Sequence, residues 1–276
     1  MNTRLVLLTL LSMLPFEVFS QNGNYSSGAR ANGMGNASVA LQDPFSIFNN
    51  VGALGNNSTS AVLLSYHHRF QMQELRSITA AYLHNIGDIN FGCSVFQFGD
   101  QLFNENKIGL AYGHKINFIS LGAQINRVQY NIESFGSTSA YVLELGGLIT
   151  ISPQLHFGAH ILNLNQAKLS SESNEIIPTV MKAGFTYLPS ESFLFSLQLL
   201  HDIDYKPSIQ GGMEYAVIPE LKFRTGISTQ PFVNHFGLGF SPKKFDIDYS
   251  LVNDNRLGTS HQLSLVFKFS KSKSDE

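Results

Sequence analysis

The chain has 276 residues, of which 14% are charged and 43% hydrophobic, with 22 Phe, 10 Tyr, no Trp and a formal net charge of −2. An ordinary soluble domain carries about 25% charged residues, so this composition argues against a water-facing surface dressed in Lys and Glu. The near-neutral charge and the lack of a basic stripe give no reason to expect nucleic acid, and a lone cysteine, Cys93, leaves no disulfide framework.

The first element is an apolar run, Leu5 to Leu14, that follows Arg4 and is broken by Pro15. Val18-Phe19-Ser20 then places modest residues before Gln21, the charged, apolar, cleavable order of a secretory signal peptide. The run is shorter than the roughly 20 apolar residues that a spanning helix needs. Residues 1–20 are therefore read as a signal peptide, with the mature chain starting near Gln21 and destined for the outer membrane. A segment over 21–58, rich in Gly, Ala and Asn, follows. Gly33-Met34-Gly35 lacks the preceding strand and following βαβ unit that a phosphate loop would need.

From Ala61 onward, apolar residues recur at every second position. Phe245, Ile247, Tyr249 and Leu251 alternate with Asp246, Asp248 and Ser250; Leu221, Phe223, Thr225 and Ile227 alternate with Lys222, Arg224 and Gly226. Period two over segments of about ten residues marks strands with one apolar face. Fourteen strands are predicted, near 61–71, 76–86, 88–98, 106–114, 117–129, 139–151, 154–163, 177–187, 191–202, 208–217, 220–228, 232–241, 244–252 and 260–270. Tight connections such as Ile86-Gly87-Asp88 and Ile218-Pro219-Glu220 alternate with longer polar ones at 99–105, 130–138, 164–176, 203–207 and 253–259. Outer-membrane barrels have this rhythm of short periplasmic turns and longer external loops, whereas a β-sandwich has no physical reason for it.

The predicted fold is thus all-β: a transmembrane antiparallel up-and-down barrel over 59–270, with a polar periplasmic tail at 271–276. Tyr82, Tyr112, Phe157, Tyr187, Phe193, Tyr215, Phe223, Phe240, Phe245 and Phe269 fall at the periplasmic strand ends in lipid-facing phase, as an interfacial girdle would. Cys93 shares that apolar phase and reads as a small lipid-facing or packed residue. The opposite face carries Lys107, Gln124, Asn126, Glu144, His156, His160, Lys182, Gln198, Glu214, Lys222, Arg224, Asp246 and Asp248. Fourteen strands enclose more room than the eight-stranded barrels that side chains alone can fill, so a polar lumen needs water or a plug.

The N-terminal segment reads Gly28-Ala29-Arg30-Ala31, then Met34-Gly35-Asn36-Ala37, then Asp43, then Phe48-Asn49-Asn50. This stretch resembles the opening signature of the fatty-acid-transporter-like (FadL-type) superfamily of outer-membrane barrels, and most of all its PorV/PorQ branch, associated with type IX protein secretion. Val51-Gly52-Ala53-Leu54 departs from the family pattern, which has Pro-Ala in that turn. The resemblance covers about thirty residues and implies a fourteen-stranded barrel with residues 21–58 tucked into the lumen. The residues themselves agree: glycines permit close backbone approach, and Arg30 could meet Asp43 or the lumen carboxylates Glu144, Glu214, Asp246 or Asp248.

No nucleophile, base and orienter come together in the sequence as an enzyme requires. His156 and His160 share a strand face but lie about 13 Å apart along it, too far to bind one metal together. No catalytic group, metal or cofactor is expected. Three roles remain: an accessory or scaffold subunit among other envelope proteins, as the PorV/PorQ resemblance implies; a channel for hydrophobic small molecules, as the wider superfamily implies; and a general porin. The longest loop, Leu164–Ile176, is short for a pore-narrowing one. The external loops look too brief and polar (Ser170 to Glu175) for an apolar capture site. On that ground the sequence points to the accessory role, with the hydrophobic channel as the alternative. The expected partners are outer-membrane lipid, other envelope proteins and a hydrophobic small molecule.

Overall fold

A computed structural model describes residues 26–169 and 176–269. The expected signal peptide and the tail at 271–276 lie outside the described residues. Fourteen antiparallel strands close into one barrel in simple chain order, with the first paired to the last. They are β1 (Ala61–His68), β2 (Arg76–Ile86), β3 (Ile89–Gly99), β4 (Phe103–Ile116), β5 (Ile119–Ile132), β6 (Gly136–Ser152) and β7 (Leu155–Leu162). The second half comprises β8 (Val180–Ser190), β9 (Phe193–Asp202), β10 (Ser208–Ile218), β11 (Leu221–Thr229), β12 (Phe232–Phe240), β13 (Phe245–Asp254) and β14 (Gly258–Lys268). Closure removes every sheet edge, the condition for putting strands in lipid.

Alternation does the rest. In β5, Ser120, Gln124, Asn126 and Val128 are buried in the lumen while Leu121 and Ile125 stand exposed on the outer wall. Along the turn end the girdle aromatics all face outward and meet across strands: Phe193 and Tyr215 at 4.6 Å, Tyr82 and Phe269 at 6.3 Å. Two-residue turns at this end need left-handed backbone, supplied by Gly87 (φ 66°) and Asn117 (φ 54°). Cys93 is exposed on the outer wall.

Strand lengths differ from the sequence reading in one sector. β4, β5 and β6 have 14, 14 and 17 residues, taking in 103–105, 130–132 and 136–138 of the stretches 99–105 and 130–138, which look like loops in the sequence. The reason is a change in what faces outward. A register row of polar residues, Gln97–Asn106–Gln129–Ser139, crosses β3 to β6. Beyond it Asn104 accepts from Asn106 at 2.8 Å and from Asn131 at 2.6 Å, and Gln129 donates to Asn131 at 3.0 Å. These strands continue past the lipid into water, where an outer face of amides replaces the apolar one. By contrast, β7 has only eight residues.

Candidate functional site

The segment before β1 crosses the lumen. A short helix, α1 (Ala29–Gly33), lies against β11 to β14. The chain then passes β10 to β7, returns to the β1–β3 side through α2 (Ser46–Asn49), and ends in a 3₁₀ turn, Val51–Asn56, on β4 to β6. Its passage depends on an inner wall without side chains at the points of contact. A methyl group on Gly122, Gly146, Gly158, Gly212 or Gly226 would collide with Val51, Asn50, Val39, Met34 or Gly35 respectively. Only glycine permits that approach. Phe45, Ile47, Val51 and Leu54 form an apolar cluster with Leu63 and Leu83 of the wall.

Asparagines satisfy the backbone of this irregular stretch, where no ladder can. Asn50 donates to the carbonyls of Val39 (2.6 Å) and Gly147 (3.1 Å), and its side-chain oxygen accepts from the Gly52 N–H at 2.9 Å. The turn therefore forms over Val51-Gly52-Ala53-Leu54 without the proline of the resembled pattern. Asn49 accepts from the Ser27 N–H at 3.0 Å and donates to its carbonyl at 2.9 Å. Asn36 adopts φ 63° between Gly35 and Ala37.

Five charged groups tie α1 to the wall. Arg30 donates from Nε and Nη2 to the two oxygens of Glu214, both at 2.9 Å, and lies 3.5 Å from Asp43. Arg224 donates to Glu214 at 2.6 Å and to Asp248 at 2.5 Å. Of the carboxylates Arg30 could have met, it takes Glu214 and Asp43. Asp246 instead pairs with Lys268 at 2.7 Å, and Glu144 sits in a separate group with Lys107 (2.6 Å) and His160 (3.2 Å). Lys182 is buried beside that second group, in register with His160. His156 stands apart, against Gln42 at 3.2 Å.

At and above the height of the polar row the inner wall becomes largely apolar, with buried Glu105 among it, which the sequence reading missed. Phe96 and Phe98 of β3, Phe103 of β4, Val128, Tyr130 and Ile132 of β5, and Ala140 and Val142 of β6 occupy inward phase. Phe98, Phe103 and Tyr130 are neighbours, with ring centroids 6.5 and 6.2 Å apart, and Phe103 is 40% exposed. The described ends of the 163–179 connection fold onto this face. Ile177 is buried against Val128 and Val142, with Ala167 and Leu169 beside it. The described ends of that loop are therefore packed inward, which its reading as a connection too short to narrow a pore did not anticipate. The available signal was the run of Phe and Tyr in opposite phase to the lipid-facing residues. Phe103, Tyr130 and Ile132 stay hidden in the sequence because 99–105 and 130–138 look like loops there.

On the other side of the mouth, between this plug-like segment and the outer ends of β1 and β10–β14, lies a cavity of about 590 Å³. Asn32 and Asn36 are in its floor, His67 and His235 in its walls, and Phe70, Pro231, Val233, Val252 and Leu257 supply apolar surface. Arg69 lines it too and sits 5.5 Å over the Phe98 ring, so cavity and aromatic stripe adjoin.

No family model matches the sequence, and no curated protein does. Among solved structures the chain is similar to the Ralstonia pickettii toluene transporter TbuX, with TM-score 0.60 and 12% identity over 90% of this chain and 100% of that one. It is also similar to the CymD monoaromatic hydrocarbon channel (TM-score 0.63, 12% identity, 89% and 98% covered). A TodX deltaS2S3 mutant monoaromatic hydrocarbon channel matches at TM-score 0.63 and 10% identity, with 88% and 98% covered. The likeness is one of fold: a fourteen-stranded transmembrane barrel of the outer-membrane kind.

Proposed function

We propose that the protein takes up hydrophobic small molecules across the outer membrane. The observation that carries this is the inward-facing aromatic stripe Phe98–Phe103–Tyr130, held above the lipid and adjoining the 590 Å³ cavity. Partly exposed apolar side chains on the inside of a mouth bind apolar solutes, because each square ångström taken from water contributes roughly 25 cal/mol. The case for a scaffold subunit was that the external loops offer no such surface. Strands supply it here instead of loops, so that case loses its ground. The barrel fold shared with a toluene transporter and hydrocarbon channels supports the same reading by analogy.

In this reading a solute meets the stripe, moves past Arg69 into the cavity and waits there. The glycine-backed segment then has to shift before anything passes further, since its backbone fills the lumen below. The test is uptake of labelled toluene by an outer-membrane-bearing host that makes the protein. Replacing Phe98 and Tyr130 together with Ser should slow uptake several-fold with normal barrel assembly. Equal rates for the two forms would refute the reading, as would recovery from gentle detergent solely within a larger envelope complex and with no apolar molecule bound.

A further inference from the structure

The outer wall of the barrel is almost free of charge. Among the described strand residues, its outward phase holds two ionised side chains, both cations: Arg76 at the outer end of β2 and Arg127 on β5. Both fall in the sector that continues past the lipid, and no carboxylate shares that face there. Arg127 is exposed and no described carboxylate pairs with it. It lies across from Ile108 on β4 and from the exposed Tyr141 on β6. Cross-strand neighbours on one face hold their Cβ atoms about 5 Å apart, so guanidinium and phenol address one group. The next outward residues toward the exterior are Asn106, Gln129 and Ser139; the next toward the membrane are Leu110, Ile125 and Leu143. The wall thus offers apolar side chains, then a cation with a phenol, then amides.

We propose that this patch holds the headgroup of a phosphorylated glycolipid of the outer leaflet. Arg127 takes the phosphate, because a guanidinium fork matches two phosphate oxygens at once. Leu110, Ile125 and Leu143 run beside the acyl chains. The amide row meets the sugar hydroxyls: Asn106 and Gln129 each spend an N–H on a neighbouring asparagine, and their amide oxygens suit hydroxyl donors. A glycerophospholipid brings the phosphate and the chains but no sugar for that row, so the occupant is a glycolipid. The patch lies on the lipid side of the wall, away from the uptake path through the lumen, and the bound lipid braces β4 to β6 where they leave the membrane.

The test offers the full barrel in mild detergent three lipids in turn: lipid A, a diphosphorylated acylated disaccharide; the same lipid with its phosphates removed; and phosphatidylglycerol. Bound lipid is counted by native mass spectrometry at low salt, where an exposed charge is least screened. Lipid A should bind about fivefold tighter than its dephosphorylated form, the upper size of one exposed charge contact, and tighter than phosphatidylglycerol. Arg127→Gln should erase that advantage, while Arg127→Lys should keep part of it, since the charge stays and the fork is lost. Heat-modifiable gel migration checks assembly of both variants, and either one suffices if the other fails to assemble. Equal binding of lipid A and its dephosphorylated form would overturn the proposal. An advantage undiminished in both variants would also overturn it by placing the phosphate elsewhere. Phosphatidylglycerol binding as tightly as lipid A would do the same, because recognition would then be of charge alone.

Discussion

The strands β3 to β6 run through two environments, and their side chains invert between them. Inside the lipid band the outer face carries Phe91, Val95, Ile108, Leu110 and Ile125, and the inner face carries Ser94, Lys107, Gln124, Asn126 and Glu144. Above the Gln97–Asn106–Gln129–Ser139 row, amides face out while Phe98, Phe103, Tyr130 and Ile132 face in. Neither half violates alternation. A strand has two faces and no inherent inside; the medium against each face decides which residues belong there. In lipid the apolar face must turn outward, and in water it must turn inward.

The largest way to break this contrast is to remove a charge from the polar interior of the band. Glu214→Ala leaves Arg30 and Arg224 buried without their shared carboxylate, a change of the kind that costs about 3–5 kcal/mol. Unfolding of the purified barrel in detergent should shift accordingly, and an unchanged midpoint would mean the network does not hold α1 to the wall. Next in size is the outer face. Arginine at Leu110, which is 63% exposed in mid-band, should cost about 2–4 kcal/mol of folding stability in vesicles, against about 0–1 for arginine at Asn106 near the boundary. Equal costs would move the lipid boundary elsewhere.

A smaller effect tests the inner face of the extension. Ile177→Val removes one methylene from a packed contact with Val128 and Val142 and should cost about 0.5–1.5 kcal/mol. The smallest perturbation is chemical labelling. Cysteine at Phe223 should react with a lipid-soluble probe and not a polar one, and cysteine at Gln97 the reverse. A swap at either position would place that strand one residue out of register, which flips every side chain. The lumen has its own check: deleting residues 24–55 should raise single-channel conductance, and no change would place the segment outside the conducting path.

The sequence by itself determined the strand count, which face of each strand meets lipid and which connections are tight. Those properties repeat every two residues and are set locally by sterics and the surrounding medium. It also marked Arg30, Asn36, Asp43, Asn49 and Asn50 as unlike the barrel that follows them. What it could not give was pairing across the closed cylinder. Arg30 and Glu214 are 184 positions apart, and which of several inward carboxylates an arginine meets depends on strand stagger and on the path of the segment against the wall. The inverted extension was hidden for a related reason. Asn104 and Asn131 read as loop because a polar outer face signals strand only once the height of the lipid is known. Closure of the barrel decides that height, because it brings four separate strands to one level and lets a single row of side chains mark where oil ends.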